Sequence, residues 1–135
     1  MRPSILIALI LPFNILDLKR EIIITGDGSS TIHIPEWNEQ YHSKHGALQE
    51  AKHVFINSGL IPYINDTNKA EISILEIGFG TGLNALVTWE EAFTQNVSIK
   101  YTGVEAYPVA KEEVEKLNFV EVIKDPKAES FFKDI

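Results

Sequence analysis

Eleven residues, Ile74 to Asn84, carry the densest chemical signal in the chain. They read ILEIGFGTGLN, with Gly78, Gly80 and Gly82 at alternate positions behind an apolar run. Glycine turns tightly, and its missing side chain lets a ligand approach the backbone. A helix opening after the last glycine aims unpaired N–H groups at the same cleft. The spacing is G-x-G-x-G, whereas a dinucleotide fold uses G-x-G-x-x-G to seat a pyrophosphate on the helix N-terminus. Here the third glycine comes one position early, which favours a ligand without phosphate. Glu76, just before the glycines, suits a cationic ligand. Glu105 lies 23 residues after Gly82, at the end of the next expected strand, where a carboxylate accepts both hydroxyls of a ribose. A ribose, a positive charge and no phosphate describe S-adenosylmethionine. The cofactor-binding set read from this stretch is Glu76, Gly78, Phe79, Gly80, Thr81, Gly82, Asn84 and Glu105.

Other reactive side chains form no comparable pattern. His42, His45 and His53 lack a third ligand at a helix-borne spacing, so they read as polar loop histidines, and no metal is expected. Trp37, Tyr41, Trp89 and Tyr107 have the ring faces to stack on adenine or a base, although Trp89 falls inside a helical pattern and reads as core. Asp125-Pro126 reads as a turn. No Ser/His/Asp triad is legible, and the absence of cysteine excludes disulfides, thiolate metal sites and a thiol nucleophile.

The elements that must position the glycines follow from periodicity. Ile72 to Ile77 is a short, nearly continuous apolar run, as expected of a parallel strand covered on both faces. Leu83 to Phe93 has helical spacing, Ser98 to Glu105 is a second strand, and Pro108 precedes a charged helix over Val109 to Leu117. Strand, glycine turn, helix and strand make a βαβ unit on a parallel sheet. Upstream, Glu21 to Thr25 and Thr31 to Ile34 flank a turn containing Gly26 and Gly28, which predicts a β-hairpin. Residues 35–45 read as a loop. An amphipathic helix over Gly46 to Ser58 follows, with Ser43 as its cap and Gly59 at its end, and Asn65 to Lys69 reads as a loop. The expected fold class is therefore α/β: a class I S-adenosylmethionine-dependent methyltransferase (Rossmann-like) fold, preceded by an N-terminal β-hairpin and helix.

Composition sets the frame. The 135 residues are 44% hydrophobic and 23% charged, enough for one core in one domain. The net charge of −7 is uneven: residues 71–135 hold 6 Lys and Arg against 12 Asp and Glu. No basic face is visible, which counts against nucleic-acid binding by these residues alone. Residues 1–18 read as an apolar N-terminal extension, and 19–135 as the domain. The run Ile5 to Leu11 is too short to span a bilayer, and no small-residue cleavage site follows it. No membrane association is expected.

Three segments together carry a family resemblance: YHSKHGALQEAKHVF at 41–55, EIGFGTGLN at 76–84 and GVEAYP at 103–108. Across about residues 20–120 the chain resembles the MnmC/MnmD-type methyltransferases. The resemblance implies methylation of the aminomethyl nitrogen on the wobble uridine of tRNA, giving 5-methylaminomethyl-2-thiouridine. It implies tRNA as partner, S-adenosylmethionine as cofactor and a cytoplasmic location; the FAD-dependent oxidase to which some relatives are fused has no counterpart in this sequence. It places Tyr41, Ser43 and Glu50 near the substrate amine or the methionine end of the cofactor. The family's active-site Asp, in an Asp-x-Phe-x-Pro-like segment, is not found. Only 53 residues follow Gly82, whereas a complete seven-stranded sheet needs on the order of 100 more. The expectation is the N-terminal part of such a domain, missing its C-terminal half, inactive alone and with an open edge on its first parallel strand. Two alternatives stay open: a methyltransferase acting on a small molecule or protein, and a non-catalytic remnant module.

Overall fold

The computed structural model describes residues 4–9 and 18–134. It contains two three-stranded sheets joined by one core. The parallel sheet has the order β1-β6-β5, from β1 (Ser4–Leu9), β5 (Glu71–Ile77) and β6 (Ser98–Glu105). The antiparallel sheet runs β2-β3-β4, from β2 (Glu21–Ile24), β3 (Ser30–Ile34) and β4 (Glu39–Gln40). Helix α3 (Leu83–Thr94) links β5 to β6, so the expected βαβ unit is present with its strands in parallel register, Glu76 opposite Gly103. The chain is thus an α/β protein.

Ser4–Leu9, from within the apolar N-terminal segment, runs parallel to β6 on the side away from β5, with Leu9 level with Glu105. Residues 1–3 and 10–17, the rest of that segment apart from Leu18, lie outside the described residues. The hairpin forms where the glycine turn placed it, and Gly28 takes a left-handed φ of 84°. Part of the stretch read as a loop is structured: Glu39 and Gln40 extend the hairpin sheet by pairing with Ile34 and His33.

The helix after the hairpin departs furthest from expectation. It starts with α1 (Ala47–Glu50), widens into a π-helical stretch (Ala51–Leu60) and tightens again in α2 (Ile61–Thr67). Gly59 does not end it, because no left-handed residue follows there; the left-handed Asn68, at φ 48°, does. Pro62 is accommodated in the first turn of α2, where its missing N–H matters least. Ser43 is not the cap. Side chains of the hairpin turn take that role: Thr25 Oγ1 accepts the Ala47 N–H at 3.0 Å, Ser29 Oγ the Leu48 N–H at 3.0 Å, and Asp27 Oδ2 the Gln49 N–H at 2.8 Å. Three amides that a helix N-terminus leaves unpaired are thereby satisfied from another element.

Helix α3 is buried on most of its circumference, through Leu83, Ala85, Leu86, Val87, Trp89 and Ala92. The charged segment after Pro108 is helical only over α4 (Lys111–Val114), and the tail folds back as α5 (Phe119–Ile123) and α6 (Ala128–Asp134). Trp89 stacks on Phe131 at 5.0 Å, so its reading as core holds. Burial on β5 alternates: Ile72 is buried, whereas Leu75 and Ile77 are 65% and 75% exposed. The strand is covered on one face, not both, because the described helices pack on the side of its even-numbered residues.

Candidate functional site

The site grows from the end of β5. Gly78, Gly80 and Gly82 have φ of 83°, 55° and 78°, so all three occupy the left-handed region that side chains disfavour. A Cβ added to Gly78 would meet nothing within 4 Å, so that position opens on free space. A Cβ on Gly80 would come within 3.3 Å of the Tyr41 ring. The loop's amides are largely committed: those of Gly78 and Phe79 donate to the Val104 carbonyl, that of Gly82 to the Phe79 carbonyl, and that of Gly80 to Glu105 Oε2 at 2.8 Å. A loop that spends its amides internally makes a poor phosphate cradle and a firm backbone floor.

Beside this loop is a cleft of about 310 Å³. It brings together Glu76, Gly78, Phe79, Gly80 and Asn84 with Tyr41 and Glu50, seven of the eleven site residues read from sequence. The other four stand around it. Glu105 reaches the loop through Gly80 and also accepts the Tyr107 N–H on Oε1 at 2.9 Å. An ionised carboxylate offers about four acceptor directions, so each oxygen keeps one for another partner. Ser43 does not line the cleft; its backbone N–H donates to Glu50 Oε2 at 2.7 Å and so steadies that side chain. Thr81 is buried, and its hydroxyl has no partner among the described residues. Gly82 is the N-cap residue of α3.

Glu76 is the most constrained carboxylate of the group. Asn84 Nδ2 donates to its Oε1 at 2.8 Å and the Tyr101 hydroxyl to its Oε2 at 2.7 Å. Burial pushes its pKa above the ordinary glutamate value, these two hydrogen bonds pull it back, and the charge of Glu105 adds to the rise. No Lys or Arg forms an ion pair with Glu76 or Glu105 among the described residues. Glu76 thus faces the cleft without an ion-pair partner among the described residues, and the nearest described guanidinium, that of Arg20, acts on Tyr41.

Several cleft residues were not singled out as ligand-binding in the sequence. Ala51, Val54 and Phe55 line it from the π-helical stretch, whose wider turn the heptad-like spacing did not announce. His42, set aside as a loop histidine, also lines it; its Nδ1 lies 3.0 Å from Thr31 Oγ1, and burial lowers its pKa. Tyr101 does not line the cleft and reaches it only through Glu76. Residues 101, 103 and 105 alternate onto one face of β6, and the register puts that face beside Ile72, Ile74 and Glu76. Gly103, opposite Glu76, leaves room for the Phe79 ring; a Cβ there would overlap that ring. No group of three His, Asp or Glu suited to a metal ion occurs among the described residues.

Comparison with known proteins gives no matching family model. Relatives are found individually. The chain is 34% identical over 84 residues to the tRNA 5-methylaminomethyl-2-thiouridine biosynthesis bifunctional protein MnmC of Leptospira borgpetersenii, covering 59% of this chain and 13% of that protein. Identity to the protein of the same name from Cupriavidus metallidurans is 31% over 102 residues, 73% of this chain and 15% of that one. The crystal structure of MNMC2 from Aquifex aeolicus superposes with a TM-score of 0.63 at 27% identity, covering 74% of this chain and 34% of that one. The chain thus spans about one seventh of the length of its curated relatives and one third of the solved chain.

Proposed function

We propose, from the premise that this chain is an MnmC-type region in part, that its cleft binds S-adenosylmethionine in the service of tRNA modification. The reaction is methylation of the aminomethyl nitrogen on the wobble uridine, converting 5-aminomethyl-2-thiouridine to 5-methylaminomethyl-2-thiouridine. One observation carries the reading: the glycine loop and Glu76 line one cleft, and Glu105, with no ion-pair partner among the described residues, is tied to that loop through the Gly80 amide. The residues present fit the cofactor. Left-handed glycines give a floor without Cβ atoms, and the anionic walls match a ligand bearing a sulfonium and an ammonium.

In this fold, of the class I methyltransferase type, the cofactor supplies a methyl group on a sulfonium, which a neutral amine takes up as the carbon–sulfur bond breaks. The chain's own part is to hold and orient. Glu105, anchored by the Gly80 and Tyr107 amides, keeps one acceptor direction on each oxygen for the two ribose hydroxyls. Glu76 would face the ammonium. Gly78 and Gly80 let the ligand lie against the backbone, Phe79 and Asn84 wall its flank, and Thr81 and Gly82 set the start of α3. Tyr41 and Glu50, with Ser43 behind Glu50, face the same cleft from the 41–55 segment and would meet the substrate amine if the family resemblance carries over. Much of the rate gain in such a displacement comes from alignment of the two reactants. An alkyl amine with a pKa near ~10 must also lose its proton before it attacks, which desolvation favours.

Filter binding with radiolabelled S-adenosylmethionine tests the cofactor. Competition by S-adenosylhomocysteine but not by NAD is expected, and competition by NAD alone would reject the reading. A gel shift with undermodified tRNA at two salt concentrations tests the substrate. The net charge of −7 favours a second reading, methylation of a small molecule or protein, and a cofactor-binding chain that ignores tRNA would establish it.

A further inference from the structure

Tyr101 is 1% exposed, and its hydroxyl has one described partner, Glu76. The pairing crosses the sheet. Tyr101 is level with Ile74, one residue pair below the Glu76–Gly103 level on the same face, so the phenol reaches diagonally towards the cleft end. Gly103 leaves the space beside it unfilled except by Phe79. A partly buried carboxylate with no ion-pair partner is costly to keep ionised unless donors surround it, and Glu76 is half-buried. Here two donors from two elements, Tyr101 on β6 and Asn84 on α3, each take one oxygen. That leaves one acceptor direction per oxygen and fixes the plane of the carboxylate.

We propose that Tyr101 is a positioning residue which, with Asn84, locks the Glu76 carboxylate to receive the ammonium group of an adenosyl amino acid; this rests on the cofactor reading above. A phenol serves this purpose well. It donates without adding positive charge, so it orients the carboxylate and leaves its attraction for a cation undiminished. Burial and the neighbouring carboxylate both push the phenol pKa up, so Tyr101 is held protonated as a donor. Around the same cleft the other charged or titratable groups among the described residues are Glu105, Glu50, His42, Tyr41 and, beside Tyr41, Arg20. None of them donates to Glu76.

Two adenosyl ligands separate this role from simple packing. S-adenosylhomocysteine carries the ammonium, and 5′-methylthioadenosine lacks it while keeping the adenosyl thioether. Calorimetry on the full chain is expected to show Tyr101→Phe weakening S-adenosylhomocysteine by about tenfold, the scale of one hydrogen bond to a charged group. Its affinity for 5′-methylthioadenosine should stay unchanged. Equal losses for both ligands, or no loss for either, would overturn the proposal. Carboxylate NMR with labelled glutamate adds a readout that needs no ligand: the Glu76 midpoint should move to higher pH in Tyr101→Phe, and an unmoved midpoint overturns the clamp. In the parent protein the Tyr101 ring carbon signal should follow the Glu76 titration, which keeps the test in force should the variant fail to fold. If the parent bound neither ligand while that titration coupling held, the cofactor reading would fall and the Tyr101–Glu76 clamp would stand.

Discussion

At the scale of single residues, the contact between Gly103 and Phe79 makes the sharpest structural demand. A Cβ on Gly103 would lie 2.1 Å from Phe79 Cδ2, far inside van der Waals contact, so the ring must leave its place in the cleft wall. Gly103→Ala is expected to destabilise the fold by about 1–3 kcal/mol, the usual range for overpacking. Adding Phe79→Ala should recover part of that loss, and thermal unfolding of the two single variants and the double variant measures the coupling. Strictly additive losses would show that the ring and the glycine do not compete for space.

Glu76 gives the residue-scale pH prediction. Its folded pKa is raised above the ordinary glutamate value, first by burial and then by the charge of Glu105. A raised carboxylate pKa means that protonation begins at higher pH than in a free glutamate. The ionised form, which attracts an ammonium, is complete only above that raised value. Affinity for S-adenosylhomocysteine should therefore fall as pH drops, with a midpoint above 4.5, and Glu76→Gln should flatten the profile. A midpoint below 4.5 would contradict the burial argument.

Among elements, the hairpin turn and the helix that follows it are one mechanical unit. Asp27 shows this. Burial alone would raise its pKa, yet hydrogen bonds from Ser29, Gln49 and Thr25 bring it down to about 2. A lowered carboxylate pKa contributes stability above the unfolded value near 3.8, and that stability is lost as pH falls towards 2. Asp27→Ala removes the acceptor for Gln49, and a cap loss of about 1 kcal/mol is expected, read as a lower midpoint in chemical denaturation. An unchanged midpoint would mean that Thr25 and Ser29 alone secure the helix start.

Local patterning explains which elements could be read in advance. The β5–α3–β6 unit was legible because its strands and helix each carry their own period and the glycines punctuate them. Glu76, Glu105 and the three glycines were legible for the same reason: they sit at or near the ends of elements, where residue type alone signals a role, whereas Glu50 was reached only through the family resemblance. The helix cap was not, because its acceptors come from Thr25, Asp27 and Ser29, some 20 residues upstream, and no local pattern encodes a remote cap. The π-helical stretch over Ala51–Leu60 was invisible as well, since its apolar residues fit ordinary helical spacing as well as the wider turn. Tyr101 was hidden by its type, because an aromatic in a strand usually reads as core.

For the whole molecule, what stands out is the face of β5 that the described residues leave uncovered. Leu75 and Ile77 are exposed on it, whereas Ile72 and Ile74 face the helices. Large apolar side chains side by side on a strand present a sticky surface. Replacing both, Leu75→Ser with Ile77→Ser, should change the unfolding free energy of the chain by less than about 1 kcal/mol, since exposed positions contribute little to packing. The same variant should raise solubility, measured by light scattering against concentration. A large loss of stability would mean that these side chains are covered in solution.

The account as a whole turns on the glycine bend and Glu105 forming a seat for an adenosyl group. Calorimetric titration of the chain with S-adenosylhomocysteine, beside Glu105→Ala, tests this most directly. One-to-one binding is expected, weakened at least about tenfold in Glu105→Ala through lost hydrogen bonds to the ribose and a loosened Gly80. Equal affinity in the two proteins would contradict the account.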